Sequence, residues 1–133
     1  MNHSSLRHGC AWLALALALA LHVLDEALTG FLAFYNPMVT GIRRAYPFLP
    51  LPVFTFQVWL VGLILGVILL LVLSIPVFRG ARIMRPLSFV LGGFMILNAC
   101  GHLGGSLYYG RLLPGVYSSP ILLAAAIYLI IAA

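Results

Sequence analysis

The chain consists of long apolar runs separated by short breaks that contain polar, proline or arginine residues. The four apolar runs cover about residues 9–34, 53–75, 86–109 and 117–133. The first three are long enough to cross a bilayer as helices, and the fourth lies at the lower limit of about 17 residues. The pattern therefore predicts an all-α, polytopic membrane protein, a four-helix transmembrane bundle that forms one domain over residues 1–133.

The breaks contain residues that end helices or favour the membrane interface. Asn36-Pro37 is expected to end the first helix, and Tyr35–Pro52 is expected to form an interfacial or partly re-entrant loop. Pro76 lies just past the expected end of the second helix. Pro86 suits the first turn of the third helix.

The composition excludes a water-soluble globular protein. Hydrophobic residues make up 64% of the chain, and the charged residues are seven arginines and two acids. The net charge of +5 does not indicate nucleic-acid binding, because the arginines lie at the ends of the apolar runs and form no patch. The two cysteines, Cys10 and Cys100, lie in different runs and have no spacing typical of a disulfide framework or a redox motif.

The arginines also predict an orientation. In a four-span topology, one side of the membrane carries four arginines: Arg7, Arg79, Arg82 and Arg85. The other side carries three: Arg43, Arg44 and Arg111. The excess of four over three favours a cytoplasmic N-terminus, in the inner membrane of a bacterial cell. An alternative for the first run is a signal peptide with Cys10–Leu21 as its core. Cleavage there would leave the apolar residues that follow it unexplained, so we favour a spanning helix.

The two acidic residues, Asp25 and Glu26, are adjacent and follow His22 inside the first apolar run. At about 100° per residue, they lie near −60° and +40° from His22, so all three share one face of a helix. An ionisable side chain at the centre of a bilayer costs about 2.5–3.5 kcal/mol on insertion scales. Two adjacent carboxylates there are therefore a candidate functional site.

A second polar stripe lies in the third helix. Asn98 and His102 are about 12 and 16 residues from its start, and His22 and Glu26 are about 13 and 17 residues from the start of the first helix. Because the first and third helices run in the same direction, the two stripes reach the same depth within about one turn. Gln57 approaches that level from the opposite side. Asn98 and Gln57 also fit simple interhelical hydrogen bonding.

Glycines on the third helix suggest how these stripes meet. The spacing Gly101-x-x-x-Gly105 would let another helix approach closely. We therefore expect the first helix to pack directly against the third.

These residues resemble the signature of the HXXEE family of small membrane proteins. His22-Val-Leu-Asp25-Glu26 has aspartate at the position of the first glutamate. The resemblance continues at Asn98-x-x-x-His102 and at Pro114-Gly115-x-x-Ser118, which is similar to the family's Tyr-x-Pro-Gly-x-x-Thr/Ser element with Leu112 at the tyrosine position. It implies a membrane location and a candidate site, and it implies no reaction.

The residue types favour a metal site. Neutral imidazole and carboxylate are ligands of zinc and of non-haem iron, and two histidines with one carboxylate leave positions for water or substrate. His22 and Glu26 can bind one ion from one helix turn, and His102 can supply the third ligand. Asp25 is expected to be a fourth ligand, a hydrogen-bonding partner of a ligand, or a general base.

The location of the site within the membrane suggests its substrate. We expect metal-dependent hydrolysis or oxidation of a lipid-like or amphipathic molecule, with Asp25 and Glu26 as the catalytic pair. Asn98 would orient a ligand or polarise the substrate. Arg111, or Arg43 and Arg44, would meet an anionic headgroup.

Two other functions remain open from the sequence. Four short helices with an acidic residue in the first resemble the small multidrug resistance exporters, which couple protons to cation export as dimers. In that alternative, Asp25 and Glu26 form the proton and substrate site of a small transporter, and the two histidines have no role. The third hypothesis is a structural subunit, and a homo-oligomer is compatible with each of them.

Overall fold

The computed structural model describes residues 3–133, and the described chain contains helices and turns without a strand. The helices are α1 (His3–Thr29), α2 (Phe31–Ala45), α3 (Phe56–Phe78), α4 (Met84–Tyr109) and α5 (Ser119–Ala132). The predicted all-α class is confirmed.

Three of these helices, α1, α3 and α4, are long and apolar enough to cross a membrane. The fourth expected span is shorter than predicted, because residues 110–118 form turns and α5 begins only at Ser119. Its 14 residues reach about 21 Å, less than the about 30 Å of a bilayer's hydrocarbon core. The structure thus supports a membrane protein with three candidate spans, and the count of four is not confirmed.

The first apolar run is divided at a position that the sequence analysis did not select. Gly30 has φ 79° and ψ 43°, a left-handed conformation that glycine adopts without steric cost, and it separates α1 from α2. The helix break is therefore at Gly30, and Asn36-Pro37 lies inside α2. The Asn36 side chain instead holds α2 to the chain before α3: its Oδ1 accepts from the Phe54 N–H at 3.1 Å, and its Nδ2 donates to the Phe54 carbonyl at 2.8 Å.

Much of the expected loop Tyr35–Pro52 is consequently helical. The two faces of α2 differ in polarity, with apolar Phe31, Phe34, Tyr35, Met38 and Ile42 on one and polar Asn36, Thr40, Arg43 and Arg44 on the other. This pattern is typical of helices at a membrane interface. The second expected boundary also moves, since Pro76 lies within α3.

The core forms where α1 packs against α3 and α5, and where α5 packs against α4. Its largest fully buried side chains include Trp12 and Leu15 of α1 and Leu122 and Leu129 of α5. The Trp12 indole N–H donates to the Leu70 carbonyl of α3 at 2.8 Å. The short α5 thus lies against both α1 and α4.

The first helix was expected to pack against the glycines of the third. In the structure α5 packs against α4 instead. On α4, Gly92 faces α5, since a Cβ there would lie 2.7 Å from Ile130 Cγ1. A Cβ at Gly101 would meet nothing within 4 Å, so this glycine faces open space. α1 and α4 meet through side chains, as where His8 Nε2 lies 2.7 Å from Ser88 Oγ.

Reporter fusions after Arg44 and after Arg82 are expected to report opposite compartments. The reason is that α3 is the spanning candidate between these two positions. The measurement is a pair of fusions to a periplasm-active phosphatase and to a cytoplasm-active fluorescent protein. The arginine distribution predicts that the Arg82 fusion is cytoplasmic. Equal signals from both reporters at both positions would contradict a single orientation and favour a dual-topology dimer.

Candidate metal centre

Two residues of α1 and one of α4 converge where α1 nears its C-terminal end. His22 and Glu26 are one helix turn apart, and His22 Nε2 lies 3.7 Å from Glu26 Oε1. His102 of α4 approaches the same oxygen, with its Nε2 at 3.1 Å. One ligand atom from each residue lies within 4.8 Å of the others, so this triad could hold a metal ion. The structure therefore brings together three residues that the sequence placed at one depth.

The triad is shielded from its surroundings. His22 is 0% exposed and Glu26 is 5% exposed, and His102 is partly buried. The two imidazole rings meet edge to face with their centroids 4.8 Å apart. The ring of Phe31, at the start of α2, lies 5.7 Å from that of His102 and 5.8 Å from that of Trp59.

A hydrogen-bond chain fixes the orientation of His22. Ser118 N–H and Ser118 Oγ–H both donate to Asp25 Oδ2, each at 2.8 Å. His22 Nδ1 lies 2.8 Å from the same Ser118 Oγ. Since the hydroxyl hydrogen is directed to the carboxylate, Ser118 Oγ must accept from His22 Nδ1–H. This assignment leaves a lone pair on His22 Nε2, an atom that is buried and has no hydrogen-bond partner among residues 3–133.

The same reasoning applies to His102. Its Nδ1 lies 2.6 Å from the Pro114 carbonyl oxygen. A carbonyl only accepts, so His102 Nδ1 carries a proton, and when the ring is neutral its Nε2 has a lone pair directed towards Glu26. Both histidines thus have Nδ1–H engaged by oxygen and Nε2 turned towards Glu26.

The turn after α4 supplies these orienting groups. Ser106 Oγ accepts from the Leu113 N–H at 3.0 Å, which folds residues 110–118 back over the end of α4. Gly115, with φ +83°, lies against the site, because a Cβ there would be 2.8 Å from His102 Cε1 and 3.1 Å from Glu26 Cγ. This close approach explains glycine at position 115.

Asp25 lies outside the triad, although its position in the sequence predicted a ligand or a catalytic group. Its carboxylate is bound by Ser118, and it lines a separate cavity of about 270 Å³ with Leu21, Leu24 and Tyr117. Of the three roles considered for Asp25, the geometry favours the partner of a ligand, acting on His22 through Ser118.

The other candidate polar residues have different positions. Asn98 lines the same cavity as Glu26 and His102, and its Oδ1 is buried without a hydrogen-bond partner in the described chain. Arg111 is exposed and lines a different cavity with Thr29 and Gly30. Three further residues, Gln57, Arg43 and Arg44, are exposed.

Reasoning from residue type and spacing missed Phe31 and the Pro114 carbonyl. A backbone carbonyl has no signature in the sequence, and Phe31 lay in a run that was expected to continue the first helix. The Pro114-Gly115-x-x-Ser118 element was identified only through the family resemblance. That element provides the His102 acceptor, the close approach at Gly115 and the Ser118 hydroxyl.

Comparison with known proteins gives one match. The family described as "Protein of unknown function with HXXEE motif" matches residues 12–129, a range that contains every residue of the triad and of the orienting turn. No curated protein and no solved structure matches the chain. The chain belongs to the HXXEE-motif family, with Asp25 in place of the motif's first glutamate.

Proposed function

We propose that this protein is a membrane metalloenzyme in which His22, Glu26 and His102 bind one zinc or iron ion. Its reaction is the hydrolysis or oxidation of a lipid-like molecule. The observation that carries the proposal is the convergence of the Nε2 atoms of His22 and His102 on Glu26 Oε1. With both Nδ1–H groups engaged, the two Nε2 lone pairs and a carboxylate oxygen converge in a buried space.

Three converging acceptors require a cation or added protons. Buried polar atoms are normally satisfied, and an unpaired acceptor costs about 1–3 kcal/mol. The distances of 3.1 and 3.7 Å between ligand atoms lie on either side of the value of about 3.4 Å that separates the ligands of a tetrahedral ion with bonds of about 2.1 Å. Metal-binding histidines also commonly donate their other N–H to a carbonyl or a carboxylate-linked group, as both rings do here.

The arrangement leaves room for chemistry. Three protein ligands are the number found in catalytic zinc sites, where water or substrate takes the next position. Such an ion acts as a Lewis acid and lowers the pKa of bound water. The Asp25–Ser118–His22 chain would hold one ligand in its orientation, and Asn98 would contact the substrate beside the triad.

The transporter alternative receives less support. A shared proton and substrate site needs Asp25 and Glu26 in one cavity, whereas Asp25 lines a different cavity from Glu26. The Glu26–His102 distance of 3.1 Å also fits a carboxylate paired with a protonated imidazole, which needs no metal. The effect of chelator on the thermal unfolding of wild type and Glu26→Gln separates this pair from a metal site.

Elemental analysis of protein purified in detergent without added metal is expected to find about one zinc or iron ion per chain. His22→Ala and His102→Ala should each abolish it, because each removes a ligand. Asn98→Ala should retain the ion with weaker binding, and Gln57→Ala is the matched control with unchanged content. A wild-type protein without stoichiometric metal, which also binds none on titration near neutral pH, would refute the metalloenzyme.

A further inference from the structure

A large cavity beside the triad lies between α2 and α4. Its volume is about 750 Å³, within the about 300–1,000 Å³ typical of small-molecule sites. Most of its lining is apolar, and polar groups of Glu26, Asn98 and His102 lie together on its wall. We call it the α2–α4 cavity.

The apolar part of the α2–α4 cavity is elongated. Along α4 its lining includes Leu91, Phe94 and Met95 on the side before Asn98. The seven helical steps from Leu91 to Asn98 span about 10 Å. The apolar face of α2 closes the opposite side through residues that include Phe31 and Phe34. The shape suits an extended hydrocarbon chain whose polar end reaches Asn98.

The cavity opens towards the lipid-facing side of α4. Phe94 is 65% exposed and Leu97 is 70% exposed, although both line the cavity and both are strongly apolar. In a helix that crosses the membrane, such exposed side chains face hydrocarbon. A ligand can therefore enter sideways from the bilayer, between α2 and α4, without passing through water.

The polar end of the ligand is constrained by charge and by hydrogen bonding. The charged side chain in the lining is the Glu26 carboxylate, and no arginine is among the lining residues, so in the metal-free protein a free carboxylate on the ligand would meet like charge. Asn98 Oδ1 is buried and lacks a partner in the part of the chain that the structure describes, so it needs a donor. A neutral hydroxyl meets both requirements.

We infer that the α2–α4 cavity binds a single-chain, long-chain alcohol, whose hydroxyl donates to Asn98 beside the Glu26–His102 pair. This inference rests on the proposed function for the reaction that the bound alcohol undergoes. It names the substrate class of that reaction. Binding of the alcohol itself does not require the ion. The two ideas can therefore fail separately.

Trp59 provides the readout. Its ring stacks on Phe31, which lines the cavity, at 5.8 Å, whereas Trp12 is buried against Leu70 in the α1–α3 contact. In a Trp12→Phe variant, dibrominated octadecanol added to detergent micelles should quench Trp59 fluorescence saturably. Hexadecanol should reverse the quenching, and palmitate in the presence of chelator should not. If that variant does not fold, retention of tritiated hexadecanol by the wild-type protein gives the same comparison.

Two glycines of α4 provide a matched pair of variants. A Cβ at Gly101 or at Gly104 would meet nothing within 4 Å, but only Gly101 lines the α2–α4 cavity. Gly101→Leu should weaken alcohol binding at least tenfold by filling the cavity, and Gly104→Leu should leave it unchanged. Asn98→Leu should weaken binding of the alcohol and leave binding of a brominated alkane unchanged.

Several results would overturn the inference. These are quenching that does not saturate, equal binding by both glycine variants, or displacement by palmitate in the presence of chelator as effective as that by hexadecanol. If the protein with Gly101 shows no saturable quenching and Gly101→Leu changes the oligomeric state, the cavity would be assigned to a second copy of the chain. Each titration is run with chelator and with added zinc. Saturable binding without metal content would refute the metal site alone, and metal content without binding would refute this inference alone.

Discussion

The Glu26→Gln variant is expected to lose its metal and yet to unfold at a higher temperature than the metal-free wild-type protein. In the metal-free wild type, the Glu26 carboxylate accepts only, and it lies 3.1 Å from the Nε2 lone pair of His102. A glutamine amide can donate to that lone pair, which replaces an unfavourable contact by a hydrogen bond. The gain is about 1–3 kcal/mol, or several degrees in the unfolding temperature of a chain of this size.

The measurement is thermal unfolding in detergent with and without chelator. Chelation should lower the unfolding temperature of the wild type and leave that of Glu26→Gln unchanged, because ligand binding stabilises only the form that binds. Glu26→Ala is the control: it also loses the metal, but it makes no hydrogen bond to His102 and should be less stable than Glu26→Gln. A Glu26→Gln protein less stable than the chelated wild type would show that Glu26 pairs with a protonated His102 in the metal-free protein. A wild type whose unfolding temperature does not respond to chelator would make this pair, without a metal, the account of the site.

Gly115→Ala is expected to weaken metal binding by about 100-fold, the upper part of the range for loss of a group that orients a metal ligand. A Cβ at this position would lie 2.8 Å from His102 Cε1 and 2.9 Å from His102 Nδ1. The imidazole must therefore move, and the hydrogen bond to the Pro114 carbonyl, at 2.6 Å, would break. The left-handed backbone adds a cost of about 1–2 kcal/mol for a residue other than glycine.

Gly110→Ala separates the two effects. Gly110 also has a left-handed conformation, with φ +62°, but a Cβ there meets nothing within 4 Å. It should lose similar stability and retain stoichiometric metal, as measured by elemental analysis and zinc titration. Equal metal affinity in the two variants would show that the Gly115 turn does not position His102.

The residues of the site could be predicted because their signals are local. His22 and Glu26 share a face because of the helical period, and the cost of burying carboxylates marks Asp25 and Glu26 wherever the bundle places them. Counting residues from the helix starts placed His102 at the same depth. The structure brings His22, Glu26 and His102 together even though the helix boundaries shift.

The roles within that set could not be predicted in the same way. The i, i+4 spacing of His22 and Glu26 favoured Glu26 as the ligand beside His102, but it left three roles open for Asp25. The answer depends on Ser118, which is 93 residues from Asp25 and binds its carboxylate. Likewise, the break at Gly30 could not be distinguished from one at Asn36-Pro37, since glycine is tolerated within helices and the Asn36 amide found its partner at Phe54 only after folding.

The sequence by itself determined the all-α class, the apolar segments and the residues that bear the chemistry, because hydropathy and helical period act over a few neighbouring residues. The tertiary structure decided which helices touch. α5 packs against both α1 and α4, so the glycine at 101 faces an open cavity. Side-chain orientation and the division of roles between Asp25 and Glu26 depend on these distant contacts, whose energies come from the packed state and have no counterpart in local patterns.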